Sequence, residues 1–403
     1  MDIERLRKEY PILEREVYGH GLVYLDNAAT TQTPREVVEA VENVYYRSKA
    51  NVHRGVHFLS QEATEMLEAT RERVRKFINA GAVEEIIFTR GTTEAINLVA
   101  ASWGESLADG DEILLTVMEH HADIVPWQLL QRHKRITIRP VPILADGSLD
   151  MDAFRSMLSP KVKMVGVTHV SNVLGTVNPV AEIVAEAHRH GALVLVDGAQ
   201  AVGHMQVDVR AIDADFYVFS SHKMYGPAGV GVLYGRRELL EAMPPYQGGG
   251  EMISHVSFDR TTFAELPYKF EAGTPDFVDI AAFHTAMDYM TRIGIDNIAA
   301  HEHELLQYVT PRMMEIPGMR IFGTAPGKSA IVSFLIGKAH HYDTGMLLDK
   351  LGIAVRTGHH CAQPLMQALG IEGTVRASFA LYNTFDEADR FIAALHRIVP
   401  LLS

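Results

Sequence analysis

The sequence carries one cysteine in 403 residues, Cys361, in the stretch RTGHHCAQP (356–364). Structural thiols usually sit in apolar runs. This one sits among two histidines, a glutamine and an arginine, a setting that favours an accessible, reactive thiol. A second candidate is Lys223 in DFYVFSSHKMYGPAGVG (215–231), just past an apolar run and ahead of a Gly/Pro-rich turn, with Ser220 and His222 beside it. Desolvation in such an aromatic, glycine-rich setting lowers an amine's pKa and suits it to Schiff-base formation. Asp197 ends the apolar run of VLVDGAQAVG (194–203). A carboxylate at the C-terminal end of a parallel strand faces the crevice where α/β ligands bind. In RGTTEAINL (90–98), Thr92 and Thr93 open a helix whose free N–H groups suit an anion, although Thr-Thr-Glu also reads as an ordinary cap. MEHHADIVPW (118–127) supplies two histidines, one of which reads as a core residue.

The elements that must position these residues alternate along the chain. EEIIF (84–88), DEILLTV (111–117), RITIRPV (135–141), KVKMVGVTHV (161–170), ALVLVD (192–197), DFYVFS (215–220) and GVGVLYG (229–235) read as strands, apolar nearly throughout. Strands covered on both faces have this composition. Helical patterns at 92–103, 123–133 and 179–190 lie between them, so an α/β fold with a mostly parallel sheet is expected. The rhythm breaks at 244–275, which reads as irregular or hairpin-like. Helices at about 278–292 and 298–314, SAIVSFLI (329–336), a helix around 343–351, TVRASFALYN (374–383) and a helix at 385–398 then suggest a separate α+β domain.

Composition narrows the function classes. Asp and Glu outnumber Lys and Arg by 50 to 37, a net charge of −13, with no concentrated basic patch, so nucleic acid is not an expected partner. No apolar run approaches the roughly 20 residues a membrane span needs, and no membrane association is expected. The start, MDIERLRKEYP, has no apolar segment of a signal peptide, and a single thiol suits a reducing compartment; a cytoplasmic location is expected. Neither GxGxxG nor a Walker A sequence is present. No His/Asp/Cys cluster has metal-ligand spacing, so no metal is expected.

Taken together, the pieces match what pyridoxal 5′-phosphate (PLP) requires. A lysine holds the aldehyde as an imine, and a carboxylate 26 positions upstream keeps the pyridine nitrogen protonated. A helix N-terminus takes the phosphate, and an imidazole stacks on the ring.

The chain resembles the SufS-type (group II) cysteine desulfurases, in the class V aminotransferase group of fold-type-I PLP enzymes. The likeness runs through YLDNAAT (24–30), NVHRGVHFLSQEAT (51–64), RGTTEAINLVA, MEHHADIVPWQ, THVSNVLGT (168–176), VDGAQAVGH, SSHKMYGP, FEAGTP (270–275), RTGHHCAQP and VRASFALYN (375–383), nearly the whole chain. It implies an N-terminal arm (1–20) packing with the small domain, a large PLP-binding domain (21–285) with a seven-stranded sheet between helices, and a small α+β domain (286–403) carrying the cysteine loop. It assigns Lys223 to the cofactor aldehyde, Asp197 to the pyridine nitrogen, Gln200 to the phenolic oxygen and His120 to stacking and to the substrate thiol's proton. Thr92, Thr93, Ser220 and His222 surround the phosphate, with Thr274 reaching it from the neighbouring subunit of a homodimer. Arg376 clamps the carboxylate of L-cysteine, helped by Asn172 with Arg356 nearby, and Cys361 takes the sulfur as a persulfide. The family often has glycine where this chain has Ser221. Only fifteen positions separate Cys361 from Arg376, a short loop of the SufS type, which implies a sulfur acceptor of SufE or SufU type and a role in iron–sulfur cluster assembly. A selenocysteine lyase on the same scaffold is the alternative. A transaminase would not need Cys361, and a non-catalytic scaffold would not need Lys223, Asp197 and Arg376 together.

Overall fold

The computed structural model describes residues 2–402. Seven strands form the main sheet: β1 (Ile86–Thr89), β2 (Glu112–Thr116), β3 (Thr137–Val141), β4 (Val162–Thr168), β5 (Leu193–Asp197), β6 (Phe216–Ser220) and β7 (Gly231–Gly235). Their order is β1-β7-β6-β5-β4-β2-β3, and only β7 runs antiparallel to its neighbours. Successive side chains of a strand point to opposite faces. Accordingly Val194, Val196, Tyr217 and Phe219 join one hydrophobic core, while Leu195, Phe216 and Val218 join another on the opposite face. The parallel direction brings Thr116, Thr168, Asp197 and Ser220 to one edge of the sheet, as expected of a ligand crevice.

A smaller four-stranded sheet follows: β8 (Met319–Phe322), β9 (Ile331–Ile336), β10 (Arg356–Gly358) and β11 (Thr374–Ser378), ordered β8-β9-β11-β10 and antiparallel throughout. Its own core joins Val332, Phe334, Val375 and Ala377 to Phe391 and Leu395 of helix Phe385–Ile398. That helix opens with a capping box, Thr384 and Glu387 each bonding the other's backbone N–H. Ile353–Ala354 pairs in parallel with Val23–Tyr24. Arg7 donates to the Tyr382 carbonyl (2.6 Å) and pairs with Glu387 (2.9 Å), tying the N-terminal segment to the C-terminal part.

Two elements differ from the sequence expectation. The helix expected over 123–133 is reduced to Val125–Leu130, preceded by a 3-10 turn at His121–Asp123, because Pro126 has no N–H to bond back into a preceding helical turn and so stands in the first turn; the buried Asp123 side chain accepts from the Trp127 indole at 3.0 Å. A 20-residue helix, Phe58–Phe77, was not anticipated. The stretch at 244–275 contains the expected hairpin, Ile253–Val256 against Thr261–Phe263.

Candidate active site

The sheet edge and the four-stranded sheet enclose a cavity of about 800 Å³. Its wall includes Lys223, Asp197, Gln200, His120, Thr92, Thr93, Ser220, His222, Asn172, Arg356, Arg376 and Cys361. Of the expected site residues only Thr274 is elsewhere, lining a neighbouring cavity of about 560 Å³ with Arg90, Glu94 and Tyr246.

Lys223 closes the 3-10 turn Ser221–Lys223 at the end of β6. Burial pushes its amine below the usual lysine range; Asp197 opposes the shift, and Arg376 and Arg356 add to it. Asp197 ends β5 and is itself pushed up by burial, with Lys223 opposing. One of its oxygens accepts from the Ala199 N–H at 2.9 Å. Gln200 donates to the Ala28 carbonyl at 2.6 Å, which leaves its second amide hydrogen free.

His120 lies in the turn after β2. Its Nδ1 accepts from the Ala122 N–H at 3.1 Å, so its proton sits on Nε2. Burial, with Lys223 and the nearby histidine and arginines, lowers its pKa to about 4. The ring is therefore neutral at pH 7, suited to stacking, and in this tautomer it is a proton donor rather than an acceptor. Burial and Lys223 likewise lower His222 to about 4.

The helix Thr92–Ser102 starts against β6. The Thr92 N–H donates to Ser220 Oγ (2.8 Å), and the two hydroxyls lie 2.7 Å apart. This close approach needs glycine: a Cβ on Gly231 would lie 2.4 Å from Gly91 Cα. The FEAGTP segment is held by Glu271, which accepts from the Phe88 N–H (2.7 Å) and pairs with the buried Arg71 (2.7 Å) of helix Phe58–Phe77.

Arg376 on β11 lies opposite Arg356 on β10. It is 1% exposed and donates to the Asn172 carbonyl and to Asp26 Oδ1, both at 3.0 Å. Its Nε is buried with no hydrogen-bond partner among the described residues. Arg356 is half exposed, 3.8 Å from Asp26. Asp26, which anchors both arginines, was not singled out in the sequence, although it lies in YLDNAAT. Also unanticipated is the buried pair Glu119 and Asp123, on either side of His120. Burial raises both carboxyls; the Glu119 charge adds to the shift at Asp123, whereas bonds from the Thr116 hydroxyl and the Thr168 N–H oppose it at Glu119. No sequence signal marks them, since a buried acid pair depends on the fold around it.

Residues 23–391 match the family model for "Aminotransferase class-V". The chain is 51% identical to a cysteine desulfurase of Cronobacter sakazakii (strain ATCC BAA-894), over 99% of both chains. The chain belongs to the class-V aminotransferase family. Among solved structures, it superposes on the apo cysteine desulfurase of Thermococcus onnurineus NA1 with a TM-score of 0.94, at 40% identity and covering 99% of this chain and 98% of that one. It matches the Escherichia coli cysteine desulfurase CsdA, in its S-sulfonic acid form, with a TM-score of 0.93, at 38% identity over 100% of both. This class-V member is a cysteine desulfurase and PLP-dependent. The site fits that cofactor: Lys223 makes no hydrogen bond among the described residues, and the N–H groups of Thr93 and Glu94 have no backbone partner. Ser221, in place of the family's frequent glycine, is buried and donates to the carbonyls of Pro227 and Val230, the latter at 3.1 Å. Its hydroxyl thus pins the glycine-rich turn after Lys223.

Proposed function

We propose that this desulfurase is of the SufS type: Cys361 receives the sulfur of L-cysteine as a persulfide, L-alanine is left, and a SufE- or SufU-like acceptor collects the sulfur for iron–sulfur cluster assembly. The observation that carries this reading is the loop. β10 ends at Gly358 and the next helix begins at Gln363, so Cys361 sits on a four-residue link in the wall of the cavity that holds Lys223 and Arg376. A thiol on so short a tether cannot travel, and an acceptor must reach it.

When bound, PLP supplies an electron sink for charge developing at the substrate Cα. Lys223 anchors the cofactor and, with its lowered pKa, moves the Cα proton. Asp197 would pair with the ring nitrogen, Gln200 would bond the phenolic oxygen, and the neutral His120 imidazole would stack on the ring. Thr92, Thr93, Ser220 and His222 would hold the phosphate. Arg376, with an unpartnered buried Nε, takes the substrate carboxylate alongside Asn172; a guanidinium fork suits that group. The Cys361 thiolate forms a bond to the substrate sulfur as the C–S bond breaks. The bonding pair stays on the substrate carbon, which takes up a proton to give alanine.

The reading includes a homodimer in which Thr274 completes the partner's phosphate site. It is supported by Thr274 lining a neighbouring cavity instead of the one that holds the other ligands, and by exposed Val256, Phe258 and Phe263 on and beside the hairpin, apolar exposure of the kind that marks protein contact. It also divides the chain into the arm 1–20, a large domain 21–285 and a small domain 286–403, with helix Phe277–Ile293 spanning the junction. A cytoplasmic setting is supported by the free thiol of Cys361. Among the described residues no helix is long and apolar enough to cross a membrane. The test is L-cysteine turnover with mass-spectrometric quantification of the Cys361 persulfide, with and without acceptors. Alanine formation with no persulfide would sink the reading.

A further inference from the structure

We infer that His121 and His359 are positioning residues for Cys361: their ring nitrogens accept the N–H groups at and just beyond the thiol and hold its loop in shape. The inference rests on the proposed role of Cys361 as sulfur acceptor.

The loop needs holding. His360 and Cys361 both have positive φ, 50° and 56°, a left-handed conformation that crowds Cβ against the backbone and that side-chain-bearing residues rarely adopt in succession. The Cys361 N–H donates to His359 Nδ1 at 3.1 Å, and the Gln363 N–H donates to His121 Nε2 at 3.1 Å. The Cys361 carbonyl accepts from the backbone N–H of His121 at 2.7 Å. His121 therefore grips the loop from both its ring and its backbone. The two ring centroids lie 5.5 Å apart.

Both rings act as acceptors, which requires the neutral form at those nitrogens. Burial and the neighbouring His359 lower the pKa of His121, in keeping with that role. The arrangement has a second consequence. His121 follows His120 directly, so the turn that places an imidazole over the cofactor and the loop that places the thiol are fastened to each other. Alignment of the thiol with the substrate sulfur then depends on two side chains that touch neither.

The geometry also dictates the test. Gln at 121 places an acceptor oxygen near the Nε2 position, and Asn at 359 places one near Nδ1; Leu at either site keeps bulk and removes the acceptor. The PLP-loaded protein, His121→Leu, His359→Leu, His121→Gln and His359→Asn are compared by single-turnover persulfide formation at saturating L-cysteine, by KM, by the visible cofactor spectrum, and by iodoacetamide alkylation of Cys361 without substrate. Each Leu variant should form persulfide about fivefold more slowly, the loss expected for one neutral hydrogen bond. KM and the spectrum should hold, and alkylation should quicken as the loop loosens. The Gln and Asn variants should return both rates towards the parent. Leu variants that match the parent in both rates overturn the inference, as do Gln and Asn variants that fall as far as the Leu ones. A parent that forms no persulfide would instead sink the sulfur-transfer reading, while the alkylation comparison would still judge the grip of the two histidines.

Discussion

Replacing Arg376 with lysine keeps a positive charge but removes the planar fork, and the surroundings set the size of the effect. Arg376 is 1% exposed, so water cannot substitute for a lost contact. Two of its N–H groups are committed, at 3.0 Å each, to the Asn172 carbonyl and to Asp26, while Nε has no partner among the described residues. An ammonium at this depth can satisfy Asp26 or the substrate, not both in parallel. Asp26 keeps Arg356 at 3.8 Å and is not stranded, so the loss falls on substrate binding. One hydrogen bond to a charged group is worth about 1.5–3 kcal/mol, which corresponds to a fall of about 10- to 150-fold in kcat/KM. The assay is alanine formation from L-cysteine by Arg376→Lys and parent, with thermal unfolding measured on both. The cofactor spectrum should not change. An unchanged kcat/KM for L-cysteine would exclude Arg376 as the carboxylate clamp.

Lys223→Ala should fold, because the amine makes no hydrogen bond among the described residues, and it should lose covalent attachment of PLP; a borohydride-reducible lysine adduct surviving in the site would refute the assignment. Mixing Lys223→Ala with Thr274→Ala subunits should give hybrids with one complete ligand set and restored activity, whereas sedimentation as a monomer at micromolar concentration would refute shared sites. For stability, His204 lies 2.8 Å from Glu302 with both side chains nearly buried. Burial lowers its pKa, but Glu302 outweighs burial and sets it above the ordinary 6.5. The folded state therefore binds the proton more tightly, and the gain is full below about pH 6.5 and fades as pH rises through the folded pKa. The Tm gap between parent and His204→Gln should narrow on going from about pH 6 to alkaline pH; a gap that widens would show that the pair is not held by charge.

The strands were legible because burial on both faces leaves a nearly continuous apolar record, as in LVLVD and FYVFS. The site was legible where one residue type is hard to replace: Lys223, Asp197 and Cys361 stand at strand ends or in a polar loop. Helix Phe58–Phe77 was hidden because its buried stripe is Ser60, Ala63, Leu67, Thr70, Arg71 and Val74, with little apolar periodicity to detect. Arg71 in particular is buried with Glu271, 200 positions away, meeting it in bidentate fashion. Asp26 and the Glu119–Asp123 pair were hidden for the same reason. Their importance comes from partners on other elements, and no local pattern marks it. His359 beside Cys361 and His121 beside His120 were both visible, but the grip of His121 depends on its turn meeting Gln363, 242 positions downstream.

The central claim is that Cys361 accepts the sulfur, and Cys361→Ala measured against both L-cysteine and L-selenocysteine tests it most directly. The thiol takes no part in holding PLP, so the variant should keep the parent's cofactor content and spectrum. It should lose alanine formation from L-cysteine, since the C–S bond needs a nucleophile to receive the sulfur. Selenium departs more readily from its weaker bond to carbon, so some activity on L-selenocysteine should survive. Desulfuration of L-cysteine by Cys361→Ala at the parental rate would contradict the account.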